Sequence, residues 1–391
     1  MIFLSFLIAL VSSLLLHPQV VEIAKMKGIT DNPDARKLQR NPVPVLGGIV
    51  VLFGIVMGLG FTTFFIHYTN FLLFIALMLV LLITGTVDDI RNLSPGLRFF
   101  IEICAALCLG FLGGIEITDF YGLWGIRDLP FWLSIIISVI TVVGIINAIN
   151  LVDGVDGLSS GYCIMACAVF AWYFSVTGNM ALTSLALASV GALIPFFIYN
   201  VFGKKSKMFI GDGGTLLMGL ILAIMVLCIL TPGYTNPVFP GTPETVIHHD
   251  TLIAPHSSVS IPGTLGHHNL TSSLNYFPGG DTHFGIVAFT IAVLSFPICD
   301  TLRVMIMRIV HHRSPFSPDK THLHHALIDC GFSHIQTTGT ILSLNAFIIL
   351  LWNILYRTGC SIDCQFYAVV GATIFLNILV YAICRHYRHN A

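Results

Sequence analysis

Long apolar runs separated by short polar turns dominate the chain. A helix needs about 20 apolar residues to cross roughly 30 Å of hydrocarbon. Runs of that kind recur with centres near residues 10, 56, 77, 106, 140, 168, 190, 222, 291, 346 and 374. Eleven such runs predict an all-α polytopic integral membrane protein, one membrane domain over residues 1–391. The pattern is interrupted once, at residues 232–282, where Pro, Gly, Ser and Thr crowd together without Lys or Arg; this reads as an inserted loop. Pro195 and Pro297 stand inside apolar runs and predict a kink and a break. Nothing basic precedes the first run, whose first lysine is Lys25, so it reads as a retained span and not a cleaved leader.

Composition agrees, with 55% hydrophobic residues, 9% charged and a mean hydropathy of +0.88. An ordinary soluble domain carries about 25% charged residues. The net charge of -1 excludes a nucleic-acid footprint, but its distribution is informative. The turns after runs one, three, five, seven and nine, with the C-terminus, hold 16 of the 18 Lys and Arg; only Arg127 and Arg357 fall opposite. The positive-inside rule makes that side cytoplasmic, with the N-terminus and the insertion outside and the C-terminus inside a plasma (inner) membrane. Most of the ten cysteines lie within apolar runs, Cys104/Cys108 and Cys163/Cys167 at helical spacing, and read as buried thiols. Cys360 and Cys364 flank the last outer turn, where an oxidising compartment would permit a disulfide.

Four polar clusters fall on the cytoplasmic side. In Asn147-Ala-Ile-Asn150-Leu-Val-Asp153-Gly-Val-Asp156-Gly157, two amides share a helix face and lead into a glycine turn. Amides and carboxylates at a membrane helix mouth are costly unless a cation meets them. The adjacent pair Asp88-Asp89 resists joint ionisation, which suits a general base or a pair facing a metal. In Lys204-Lys205-Ser-Lys207-Met-Phe209-Ile-Gly211-Asp212-Gly213-Gly214, Asp212 can cap a helix whose first N–H groups the glycines expose. Beside a phosphate, that aspartate would hold Mg²⁺. The stretch from His311 to His325 packs His322, His324 and His325 among Arg313 and Lys320. Zinc is the first thought for such density, but the absence of nearby Cys and the basic neighbours favour an anion-binding group for pyrophosphate. The scattered histidines of the outer insertion read as incidental. So do the last two spans, as structural.

Acidic groups for a metal, glycines for phosphate and a cationic loop amount to nucleotide-diphosphate chemistry, and the membrane scaffold makes one reactant a lipid. The rival class is a secondary transporter, whose carboxylates should lie near the midplane of paired broken helices. A CDP-alcohol phosphotransferase would need an Asp-Gly-x-x-Ala-Arg pattern that is missing after Asp153 and Asp156.

Five motifs in order carry a family resemblance. They are Pro42-Val-Pro44-Val-Leu-Gly47-Gly48, Asp88-Asp89, the Asn147 to Gly157 turn, Phe209-Ile-Gly211-Asp212, and Ser314-Pro-Phe-Ser-Pro-Asp-Lys-Thr-His322-Leu-His324-His325. Together they resemble the polyprenyl-phosphate N-acetylhexosamine-1-phosphate transferases. The last motif is similar to that of the N-acetylglucosamine branch; the muramoyl-pentapeptide branch tends to show three consecutive histidines. The resemblance implies transfer of a sugar 1-phosphate from a UDP-N-acetylhexosamine to undecaprenyl phosphate, releasing UMP, with Mg²⁺ (or Mn²⁺) as cofactor. It implies that Asp212 with Asn150 holds the metal and that Asp88 and Asp89 orient or deprotonate the lipid phosphate. Asn147, Asp153, Asp156 and Phe209 would line the nucleoside and sugar pocket. Lys204, Arg313, His322, His324 and His325 would grip the diphosphate. Such a protein needs membrane lipid around it and no nucleic acid, and is compatible with a homodimer.

Overall fold

The computed structural model describes residues 2–31, 42–66, 69–231, 284–314 and 321–390. The insertion at 232–282, the basic stretch with Arg36, Lys37 and Arg40, and the Pro315 to Lys320 part of the last motif lie outside the described residues.

Every apolar run folds as a helix, and the described residues contain thirteen helices. In order they are α1 (Ile2–Lys27), α2 (Gly47–Thr62), α3 (Phe71–Arg91), α4 (Pro95–Phe111), α5 (Phe131–Val152), α6 (Leu158–Val176), α7 (Met180–Phe202), α8 (Gly211–Leu230), α9 (Ile286–Val293), α10 (Ser295–Val310), α11 (Leu323–Asp329), α12 (His334–Arg357) and α13 (Ile362–Asn390). Eight are long and apolar enough to cross a membrane, or nine with α9 and α10 taken as one bent span. With α2 and α4, these account for all eleven apolar runs. α2 has 16 residues and α4 has 17, and α4 carries both Arg98 and Glu102. The short α11 was not anticipated. α7 continues as one helix across Pro195. All ten cysteines are free, so the outer disulfide does not form. Cys360 Sγ instead meets Thr358 Oγ1 at 3.5 Å.

The bundle is built around α8. Apart from Asp212 in its first turn, every residue of this helix is buried. An apolar surface on all sides is what a helix enclosed by other helices requires. α3, α5 and α2 pack against it, and α1, α7 and α6 extend the layer outward. Where α2 and α3 approach its N-terminal end, glycine removes the obstacle. A Cβ on Gly48 would lie 2.6 Å from Gly214 Cα, and one on Gly213 would lie 2.6 Å from Thr86 Oγ1. The strand-like segment before α2 docks onto the segment before α8: Phe209 N–H donates to Pro44 O (2.8 Å), Gly47 N–H to Phe209 O (3.1 Å) and Gly48 N–H to Ile210 O (3.0 Å).

The break expected at Pro297 is present, displaced by three residues, and bends α9 against α10 by 75°. Proline has no N–H to give to the carbonyl four residues earlier, that of Val293. Two side chains take the place of that bond. Tyr162 O–H donates to Val293 O (2.6 Å) and Asn345 Nδ2 donates to it from 3.1 Å. Asn345 Oδ1 in turn accepts from Ser295 Oγ (2.8 Å) and from Phe296 N–H (3.1 Å). Asn345 is fully buried, so one amide of α12 holds both sides of the break. α6 and α12 thus supply the bracket.

Candidate active site

Four helix ends meet at one guanidinium. Ser94 caps α4 through its side chain, with Pro95 at the first helical position, and Arg98 follows in the first turn. Arg98 Nη1 lies 3.2 Å from Asp88 Oδ2, at the end of α3, and 3.7 Å from Asp212 Oδ2, at the start of α8. Its Nη2 donates to Asn147 Oδ1 (3.3 Å) and Asn150 Oδ1 (3.2 Å), on the last turns of α5. Behind it, Arg98 Nε is 3.5 Å from Glu102 Oε1, and Asn147 Nδ2 donates to the other oxygen of that fully buried carboxylate. Asn150 Nδ2 donates to Asp212 Oδ1 and to Thr215 Oγ1, each at 2.8 Å. A planar five-donor group is suited to hold two carboxylates and two amides at once.

Two readings of the sequence change here. Asp212 does not cap α8; its carboxylate turns to Asn150 and Arg98 because the helix start is packed against α2 and α3. For the same reason Gly213 and Gly214 are buried, and they do not offer an open row of N–H groups to phosphate. Gly213 N–H faces Asp89 Oδ2 at 3.5 Å. Adjacent helical residues point about 100° apart, so Asp88 and Asp89 diverge. Asp88 also accepts from Leu93 N–H (2.7 Å). Among the described residues no three His, Cys, Asp or Glu side chains converge tightly enough to hold a metal by themselves.

A second layer joins the Asn/Asp turn to the histidines. Asp153 accepts from Ser159 Oγ (2.5 Å). Asp156 Oδ2 takes Lys207 Nζ at 2.6 Å and His334 Nδ1 at 2.9 Å. Burial pushes the Asp156 carboxyl up, but the hydrogen bonds and charges of His334 and Lys207 outweigh it and leave it below the usual carboxylate range. Asp156 therefore ties the turn to α12 and to the lysine segment. Gly157, at φ +76°, gives its N–H to Asn200 Oδ1 (2.7 Å). Gly154 lies against the His324 ring, where a Cβ would overlap Cδ2 at 2.9 Å. His324 is buried, and that burial, reinforced by His325 and His322 against the opposing pull of Asp300, pushes its imidazole down to about 3. Burial thus disfavours the charged ring at His324. His322 is fastened through Nδ1 to Asp300 Oδ2 (2.8 Å) and stacks on His324, centroids 5.7 Å apart. Arg303 braces the arrangement through Asp300 Oδ1 (2.7 Å), Thr321 O (2.7 Å) and Asn377 Oδ1 (3.1 Å). Phe209 lies half-buried, 5.8 Å beneath Lys207 Nζ, and Lys204 and Arg313 are exposed.

Sequence reasoning therefore brought Asp88, Asn147, Asn150 and Asp212 to one place and passed over Arg98, Glu102, Asp300, Arg303 and His334. Arg98 and Glu102 were legible as charges four apart on an otherwise apolar helix, an arrangement that membrane interiors tolerate only for a purpose. Asp300 was hidden because its partner lies beyond a turn.

The undecaprenyl-phosphate alpha-N-acetylglucosaminyl 1-phosphate transferase of Escherichia coli strain K12 is 26% identical over 320 residues, covering 81% of this chain and 73% of the relative. The probable undecaprenyl-phosphate N-acetylglucosaminyl 1-phosphate transferase of Bacillus subtilis strain 168 is 26% identical over 362 residues, 89% of this chain and 85% of the relative. The Salmonella typhimurium strain LT2 protein with the same name as the first is 24% identical over 372 residues, with shares of 92% and 83%. The pattern of Glycosyl transferase family 4 matches residues 70–230, which run from α3 through α8 and contain every side chain that Arg98 touches. The chain is thus a multi-pass membrane protein similar to glycosyl transferase family 4 over residues 70–230.

Proposed function

We propose that the chain transfers N-acetylglucosamine 1-phosphate from its UDP derivative to undecaprenyl phosphate, giving the lipid-linked diphosphate sugar and UMP. The reaction would be the first membrane step of a cell-surface glycan pathway, at the cytoplasmic face of the inner membrane. The observation that carries this reading is the guanidinium of Arg98 held between Asp88 and Asp212, with Asn147 and Asn150 on its other edge. It is a polar centre of hard oxygen donors and fixed charge at the ends of apolar helices, where a lipid phosphate and a soluble diphosphate can both reach.

In the transfer, an oxygen of the lipid phosphate attacks the sugar-bearing phosphorus of the donor. The bond from that phosphorus to the bridging oxygen breaks, and the electron pair leaves with UMP. A phosphate monoester is mostly ionised near pH 7, so the work is to bring two anions together in line. Asp88, already loaded with Arg98 and the Leu93 N–H, orients and does not abstract a proton. Asn150 holds Asp212 through Nδ2 and so fixes which carboxylate oxygen remains available.

Mg²⁺ would be held first by Asp212, whose Oδ2 is the oxygen not bonded to Asn150; Asn150 Oδ1 and Asp88 Oδ2 are hard donors too, but they accept from Arg98 and would join only with that side chain displaced. One or two carboxylates completed by substrate phosphates is the usual Mg²⁺ arrangement, and Mn²⁺ accepts the same donors. When bound, the ion supplies neutralisation of the diphosphate charge.

The test is detergent-solubilised protein with undecaprenyl phosphate, Mg²⁺ and a panel of UDP-sugars that includes the muramoyl-pentapeptide donor. UMP release with UDP-N-acetylglucosamine is expected, and it should stop when the lipid is withheld. Silence across the panel, beside an active control from a relative, would overturn the reading.

A further inference from the structure

α1 does more than cross the membrane. Ala9, Ser13, His17, Val20 and Ala24 line its buried face at helical spacing. Small residues let α2 come close to that face: a Cβ on Gly54 would overlap Ser13 Oγ. One turn after Ser13 stands His17, fully buried. Its ring stacks on Tyr199, near the end of α7, with centroids 4.3 Å apart and planes 17° apart. Its Nε2 lies 2.9 Å from the carbonyl oxygen of Ser206. A carbonyl only accepts, so Nε2 carries a hydrogen whatever the charge of the ring. A polar ring enclosed by membrane helices needs a reason, and this bond points to one.

Ser206 belongs to the connection between α7 and α8. Residues 203–208 form neither helix nor strand, and Lys204 and Lys205 are exposed there. Side chains therefore do most of the holding. Two turns beyond His17 on α1, Lys25 Nζ donates to Lys205 O (2.7 Å), and from α7 Asn200 Nδ2 donates to Met208 O (2.9 Å). α1 thus grips two successive carbonyls. The residue that follows them is Lys207, whose Nζ meets Asp156 Oδ2 at 2.6 Å.

We propose that His17 is a positioning residue: from the first membrane helix it fixes the Ser206 carbonyl, and so sets the place of Lys207 against Asp156 and the affinity for the nucleotide-sugar donor. Being fully buried, His17 acts through Lys207 and does not itself touch substrate. The effect on donor affinity rests on the transferase reading above.

The experiment compares His17→Phe, which keeps an aromatic ring on Tyr199 and loses the N–H, with His17→Gln, whose amide N–H takes the place of Nε2. The first readout needs no turnover. In the full-length protein in detergent, amide hydrogen exchange of residues 203–208 should speed about fivefold in His17→Phe, as the loss of one hydrogen bond predicts, and less than twofold in His17→Gln. Lys25→Met removes the second tie without touching the core, and should speed the same peptide by about twofold. The second readout is kinetic. His17→Phe should raise KM for UDP-N-acetylglucosamine about fivefold, with kcat and KM for undecaprenyl phosphate within twofold of wild type, and His17→Gln should restore it. Added to Lys207→Met, His17→Phe should change donor KM by less than about twofold, since its effect passes through that lysine. Unchanged exchange in both His17→Phe and Lys25→Met would overturn the proposal. So would a His17→Gln variant as impaired as His17→Phe, which marks packing alone, or a His17→Phe effect undiminished on Lys207→Met. If the wild-type protein releases no UMP, the transferase reading has failed, while the exchange rates still decide whether His17 holds the segment.

Discussion

Replacing Arg98 separates its two roles. Glu102 is fully buried, and Arg98 is the cation paired with it. Arg98→Ala leaves that carboxylate in apolar surroundings with Asn147 as its neighbour. Breaking a buried pair from one side costs about 3–5 kcal/mol. Most of the loss should come from the stranded charge, so Glu102→Gln in the same chain should recover the greater part of it. Activity should behave otherwise. Asp88, Asn147 and Asn150 each lose a charge-assisted hydrogen bond worth about 1.5–3 kcal/mol, and the loss of any two predicts a fall in kcat/KM of at least about a hundredfold. The double variant should therefore be stable and still inactive. Thermal unfolding in detergent measures the first quantity and UMP release the second. If Glu102→Gln returns no stability to Arg98→Ala, the pairing argument is wrong. If the double variant turns over at the wild-type rate, Arg98 is a structural cation only.

Three other outcomes are expected. Asp212→Asn should abolish UMP release while membrane insertion and thermal midpoint stay near wild type, because the isosteric amide can still meet Asn150; wild-type turnover in a folded sample would remove Asp212 from the metal assignment. Asn345→Leu strips Ser295 and Phe296 of their acceptor, and at about 1–3 kcal/mol for each buried orphan it should lower stability by several kcal/mol and slow transfer through the displaced α10; an unchanged midpoint would refute the bracket. His324 has its native value pushed down to about 3, below the roughly 6.5 of an unfolded histidine. The unfolded chain thus takes up a proton that the native one refuses. This histidine leaves stability untouched above about pH 6.5 and erodes it as the pH falls toward 3, by at most about 1.4 kcal/mol per unit. A His324→Asn variant should lose stability less steeply between pH 6.5 and 4, and parallel curves would show that the ring is not shielded from protons.

The sequence made the helices legible because apolar length alone decides where a chain can cross hydrocarbon, and α8 reads from its unbroken run. It could not show that α2 and α4 are the shorter helices, at 16 and 17 residues. Their polar flanks, Pro95 and the Gly47-Gly48 pair, blend into apolar neighbours until the caps are seen. Asp88, Asn147, Asn150 and Asp212 stood out as polar residues where apolar ones were due. Arg98 did not, because a basic residue at a helix end already has a topological explanation, and only its place among four acceptors reveals another. The glycines at 213 and 214 misled for a related reason. A glycine at a helix start serves an anion or a neighbouring backbone equally well, and which one depends on α2 and α3, hundreds of atoms away along the chain. Asp300 and His322 are joined across a turn, and no local spacing announces such a pair.

The bend at Leu294 also sets a ruler. Phe296, whose amide hangs from Asn345, and Asp300 are one helical turn apart on the same side of α10, the side that also buries Val304. Inserting or removing a single residue between Pro297 and Asp300 would rotate everything downstream by about 100°. Asp300 would swing toward the flank where Leu302, Ile306 and Ile309 lie exposed, and His322 would lose its anchor without any change in its own sequence. The length of that one turn thus decides where His322 is anchored, as much as the identity of any side chain it carries.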